Sequence, residues 1–146
     1  MSGRLTVWGA AEMLTCFFNR TGDPPTSFWL ALIRQVPPTP YMSGLEIDEP
    51  DNDDYARVEI LNDSNEWTNA SQPQVMSNEL PVQFMTASSD WGLSGYWALC
   101  NADSGGFCYF VGDLESPLLV ETGDQVVISE DDLSVALGPF FMAEEQ

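Results

Sequence analysis

The sequence predicts a mainly β protein: a single β-sandwich or jelly-roll-like domain of about seven or eight strands, with one N-terminal helix. Three observations carry this expectation. Short runs rich in aromatic and β-branched residues recur along the chain, separated by Gly, Asp and Ser turns. Helical periodicity is confined to the N-terminal stretch. A chain of 146 residues that is 44% hydrophobic, with five Trp, eight Phe and four Tyr, is composed for a packed core rather than for disorder. Its length suffices to bury roughly two-thirds of the unfolded surface.

Residues 5–19 carry Val7, Ala10, Ala11, Leu14, Phe17 and Phe18 at a spacing that suits one face of a helix, and NRTGDPP ends it. Residues 27–35, SFWLALIRQ, begin apolar on both faces, as a central strand does. Residues 36–54 read as a long loop rich in proline and acid, without room for regular structure. In YARVEIL, residues 55–61, Ala56, Val58 and Ile60 share one face of a strand, and Arg57 and Glu59 share the other. Further strands are expected at 80–85, 95–101, 107–111, 125–128 and 133–137. No repeat or linker divides the chain, so residues 1–146 read as one domain, its β-sandwich spanning 27–137.

Between the strands at 95–101 and 107–111 stands NADSGG, which also surrounds the nucleophile of chymotrypsin-like proteases. A serine hydroxyl attacks only when a base takes its proton. This chain has no histidine and no lysine; its four basic residues are Arg4, Arg20, Arg34 and Arg57. Neither a Ser-His-Asp triad nor a Ser-Lys dyad can be built from it. Ser104 therefore belongs to a hairpin turn in which Gly105 and Gly106 supply positive φ, Asn101 faces Phe107 and Cys100 faces Cys108.

The charge balance narrows the partners. With 23 Asp and Glu against four Arg, the net charge is −19. Such a surface repels phosphate backbones and anionic lipid, so neither nucleic acid nor a membrane is expected as a partner. No run of 18 apolar residues is available to span a bilayer. The N-terminal stretch has a superficial likeness to a signal peptide, but Glu12 interrupts its apolar region and no cleavage site follows, so it is expected to be retained.

Three cysteines, Cys16, Cys100 and Cys108, show no zinc spacing, and with no histidine present they read as free thiols in the core. The sequence DEPDNDD places Asp48, Glu49, Asp51, Asp53 and Asp54 in one loop, the oxygen-rich kind that calcium prefers, yet it lacks the glycine and closing glutamate of an EF-hand. A solvated acidic loop is the default, and no metal or other cofactor is expected. Among so many acids a glycosidase-like carboxylate pair would arise by chance. Trp67, Trp91, Tyr96 and Trp97 are candidates for stacking on sugars, although most aromatics of a small β domain are core residues. Sequons at Asn19, Asn62 and Asn69 read as coincidence. No enzyme is expected.

Taken in order, FWLALI before the Pro-rich loop, YARVEI, EW, VQFMTA, DWGLSGYWALCNADSGG, VGDLESPLLVETGDQVVI and DDLSVAL form a recognisable series. It resembles a family of small tailed-bacteriophage virion proteins, variously labelled tail-fibre, minor tail or head-decoration proteins. The resemblance runs from about residue 17 to residue 137; the sequence departs from it in its acidity and in the loop 36–54. It implies a structural virion protein on the outside of a phage particle, assembled in the host bacterial cytoplasm and carrying no catalytic residues. Its first reading is a head-decoration (cement) protein bound in homo-oligomeric clusters to the major capsid protein. A tail- or fibre-associated minor component bound to tail proteins is the alternative. A secreted sugar- or protein-binding β-sandwich module is the alternative of another class.

Overall fold

The computed structural model describes residues 1–19, 22–69 and 72–137. In chain order the elements are β1 (Ser2–Leu5), α1 (Val7–Leu14) with a π-helical continuation (Thr15–Asn19), β2 (Ser27–Ile33), β3 (Val58–Leu61), β4 (Trp67–Thr68), β5 (Val75–Asn78), β6 (Val82–Gln83), β7 (Gly92–Cys100), β8 (Cys108–Val120), β9 (Val127–Ile128) and β10 (Ser134–Ala136). The mainly β domain with one N-terminal helix is the one found. Its strands divide unevenly, into an eight-stranded sheet in the order β3-β2-β7-β8-β1-β10-β5-β4 and a two-stranded sheet of β6 and β9.

The large sheet is curled, and connectivity alone requires it. Laid flat, eight strands would hold β3 and β4 roughly 34 Å apart at the usual spacing of about 4.8 Å. Only residues 62–66 join these two edges, and they reach at most about 20 Å. The sheet therefore bends until its edges approach. Trp67 Nε1 of β4 donates to the Leu61 carbonyl of β3 at 3.1 Å, and its ring meets Phe28 edge-on at a centroid distance of 5.7 Å.

The inner face carries the main core. Leu30, Leu32, Ile60, Trp97 and Leu99 of the large sheet pack on Val82 and Ile128 of the small one, with Phe84 and Trp91 between. On the outer face Ala31, Ile33, Ala98, Cys100, Cys108 and Val111 form a second cluster, covered by Ile47 from the loop 36–54. β2 supplies alternate residues to both clusters, as expected of an apolar central strand.

The hairpin that NADSGG predicts joins β7 to β8. Cys100 pairs with Cys108, and Gly105 and Gly106 have φ of 61° and 68°. β1, by contrast, has no hydrophobic alternation and was not expected. It lies inside the sheet, antiparallel to β8 and parallel to β10. Gly3 of β1 faces Gly112 of β8, and a Cβ on either would collide with the indole of Trp97. The two glycines form the slot that lets this ring into the core.

Several elements differ from the sequence expectation; β7 starts at Gly92 and β8 runs on to Val120, beyond the expected 95–101 and 107–111. The helix begins at Val7 and not at residue 5, because β1 occupies the preceding residues. β4 and β5 add short strands at the far edge that sequence alone did not mark. β3 starts at Val58 and not at Tyr55, since Tyr55 and Arg57 are turned aside to other partners.

Candidate functional site

The acidic loop comes first, because its carboxylates were the only metal candidates. Asp48 accepts from Arg34 Nη2 at 2.9 Å and from the backbone N–H groups of Gln35 and Val36. Glu49 accepts from Arg57 Nε and Nη2 at 2.8 and 2.9 Å, and from the Tyr55 hydroxyl at 2.8 Å. Asp54 accepts from the backbone N–H groups of Ser88 and Ser89, from the Ser89 hydroxyl and from Trp91 Nε1. Asp51 and Asp53 are exposed. Three of the five acids thus serve as acceptors for the protein's own donors. Among the described residues no three acids or thiols converge to hold a metal ion.

Arg57 joins this loop to the NADSGG hairpin. The sequence pattern sets it beside Glu59 on a polar strand face; the structure buries it. Besides Glu49, its guanidinium donates to the carbonyls of Ala102, Gly105 and Gly44 at 2.8, 3.1 and 3.1 Å. Burial by itself would lower its pKa, but the hydrogen bonds and charge of Glu49 outweigh that and raise it. The neighbouring Tyr55 hydroxyl is raised by its own burial and then by the Glu49 charge. Both groups keep one protonation state across ordinary pH, which suits a fixed tie and not proton transfer. Ser104 is exposed at the hairpin tip. The thiols of Cys100 and Cys108 face each other across the strands, 3.5 Å apart and buried.

Of the sugar-stacking candidates, Trp67, Trp91 and Trp97 are buried in the core and Tyr96 is half-buried. The exposed aromatics lie elsewhere, on the helix. The predicted apolar stripe exists, but it points outward. Phe17 and Phe18 are 80% and 72% exposed, and Val7, Trp8, Met13 and Leu14 are exposed with them.

The reason is in the residues that anchor α1. Thr6 caps the helix, its hydroxyl accepting from the Gly9 N–H at 3.0 Å and donating to the β8 backbone at the Cys108 and Tyr109 carbonyls. Gly9 abuts the Tyr109 carbonyl so closely that a Cβ there would overlap it. The small and polar side of the helix thus meets the sheet, and the large apolar side chains are left facing solvent. Periodicity gave the stripe; only the cap and Gly9 reveal which way it faces.

Neighbouring segments extend this surface. The Val7 N–H donates to the Pro40 carbonyl at 3.1 Å, which sets the exposed Tyr41 beside the helix start. Trp8 lies 6.3 Å from Phe107 between ring centroids. Beneath the helix, between it and the inner face of the sheet, runs a cleft of about 450 Å³ whose walls are almost wholly apolar, with Met13 and Phe17 on one side and Phe28, Trp67 and Met76 on the other.

A model of the Gp80 family, described as podophage GP4 fiber I protein gp80, matches residues 5–136. The chain belongs to this family. None of the curated proteins matches it. The Gp80 match takes in α1, the outward stripe and every strand from β2 to β10. It supports the virion structural class that the ordered motifs implied, with a virion location, and it favours the fibre-associated alternative over head decoration.

Proposed function

We propose that this Gp80-family protein is a fibre-associated structural component of a tailed-phage particle, that it binds neighbouring tail proteins through the outward stripe of α1 and the adjoining loop, and that it performs no chemistry. The observation that carries the proposal is the orientation of the helix in a chain of this family. Leaving Trp8, Leu14, Phe17 and Phe18 in water forgoes roughly 1.5–3 kcal/mol for each side chain that a partner would bury. Contiguous exposed aromatics of this kind mark protein contacts. The fibre description of the family supports this reading over head decoration, the first reading of the sequence.

The absence of a base supports the non-catalytic part. The chain has no His or Lys, and Arg57, the one buried arginine among the described residues, is held by Glu49. Many weak copies of one contact would sum to firm attachment. The net charge of −19 favours a partner with a basic rim, which would speed encounter while the apolar centre supplies affinity.

The test is particle composition and position. Purified virions should contain the protein, immunogold should place it at the tail, and a Phe17→Asp/Phe18→Asp variant should fold yet fail to incorporate. Label spread over the head would restore decoration. Normal incorporation of the variant would remove the stripe from the mechanism.

A further inference from the structure

The two buried thiols at the base of the NADSGG hairpin lie in a geometry that suits bond formation. Cys100 of β7 and Cys108 of β8 are register partners, both fully buried, with their sulfurs 3.5 Å apart. The Asn101 N–H donates to the Phe107 carbonyl at 3.0 Å, one residue nearer the turn, which makes Cys100 and Cys108 a non-hydrogen-bonded pair. Such pairs hold their Cα atoms roughly 4.5 Å apart, inside the range of about 4.4–6.8 Å that a disulfide spans. Closing the bond needs the sulfurs to move from 3.5 Å to about 2 Å. We propose that Cys100 and Cys108 are a redox-active dithiol, reduced in a thiol-buffered medium and converted by small disulfides to a bond that clamps the base of the hairpin.

The surroundings say which sulfur attacks. A hydrogen bond from the Cys100 thiol holds the Cys108 thiol below its ordinary pKa against the opposing effect of burial, and the Arg57 charge adds to it. The Cys108 thiolate attacks one sulfur of a small disulfide such as oxidised glutathione and expels the other half as a thiolate. Cys100 gives up its proton, attacks the Cys108 sulfur of the mixed disulfide and expels the second glutathione thiolate. Two cysteine thiols are oxidised, one glutathione disulfide is reduced to two thiols, and the two protons end on those thiols.

Ile47 packs over the pair from the loop 36–54, so the oxidant reaches it only when hairpin and loop open, and that opening paces the reaction. The clamp lies where other ties converge. Thr6 donates to the Cys108 carbonyl, and Arg57 donates to the Ala102 and Gly105 carbonyls inside the loop that the bond would close. Oxidation therefore fixes both the seat of the α1 cap and the turn that Arg57 holds.

The experiment treats the folded full chain with oxidised glutathione, alkylates the remaining thiols and maps the peptides by mass spectrometry. Cys100 and Cys108 should be joined to each other, with the half-buried Cys16 outside the bond. The melting temperature should stand roughly 5–10 °C above that of the reduced protein and return on adding dithiothreitol. Cys100→Ala, which cannot complete the second step, should keep glutathione on Cys108 and show no such rise. The peptide map needs no variant, so it decides the question even if Cys100→Ala does not fold. Free Cys100 and Cys108 thiols after prolonged oxidation, a bond that uses Cys16 instead, or a joined pair with an unchanged melting temperature would overturn the proposal.

Discussion

Arg57 shows at the residue scale how a polar side chain organises this fold. Its five donors reach a carboxylate and three carbonyls on two separate loops. Arg57→Ala would leave Glu49 half-buried without its counter-charge and three carbonyls without a donor. Breaking such a pair costs about 3–5 kcal/mol, so the melting temperature should fall by roughly 10 °C, with protease cleavage appearing in the loop 36–54. Differential scanning calorimetry and limited proteolysis would measure both. Asp54 gives a pH signature. Hydrogen bonds, first from the Ser89 hydroxyl and then from the Ser88 N–H and Trp91, hold its carboxyl well below the usual carboxylate range despite an opposing effect of burial. A depressed folded pKa means that its stabilisation is complete above the unfolded value near 3.9 and is lost as pH falls toward the folded one. Urea titrations of wild type and Asp54→Asn should therefore differ by a constant amount from pH 7 to about pH 5. Below about pH 4 the difference should shrink.

Among the elements, α1 is tied to the sheet at Thr6 and Gly9. Thr6→Ala removes both its cap and its link to the β8 carbonyls, at a cost of about 1–2 kcal/mol. Amide exchange should speed up across Val7–Leu14 while β7 and β8 keep their protection; uniform loss of protection would show that the cap supports the whole domain. The elements legible in the sequence are those whose local chemistry agrees with the fold. SFWLALI is apolar on both faces because both faces of β2 are covered, and ADSGG turns because Gly105 and Gly106 accept positive φ. β1, β4 and β5 were illegible because SGRL, WT and VMSN owe their strand form to neighbours distant in sequence. For the candidate site, periodicity found the stripe residues but could not say which way the stripe faces. Asn78 is a like case: its buried amide donates to the Leu80 and Ser129 carbonyls and accepts from the Leu133 N–H, a role no local pattern announces.

At the scale of the whole molecule, charge works against compactness. Nineteen uncompensated negative charges repel one another in the folded state more than in the expanded chain. Salt shortens the range of that repulsion from about 30 Å at 0.01 M to about 3 Å at 1 M. The melting temperature should accordingly rise with sodium chloride, by several degrees, and most of the rise should come at low concentration. A melting temperature that falls with salt would mean that Arg34–Asp48 and Arg57–Glu49 outweigh the net repulsion.

The position of β1 also sets an order of events. This strand, made before every other element described, lies between β8 and β10, and the Ser134 N–H completes the clasp by donating to the Met1 carbonyl at 2.9 Å. While the chain is being synthesised, β1 has one neighbour at most until β10 leaves the ribosome. Its pairing then closes a loop of nearly the full described length, so the entropy of closure falls late and at once. Such a topology folds on the millisecond-to-second scale of non-local β proteins, and only after translation has passed β10. Through that interval the outward stripe of α1 is already exposed, which gives the proposed attachment surface a second meaning: it is also the face by which unfinished chains would find one another.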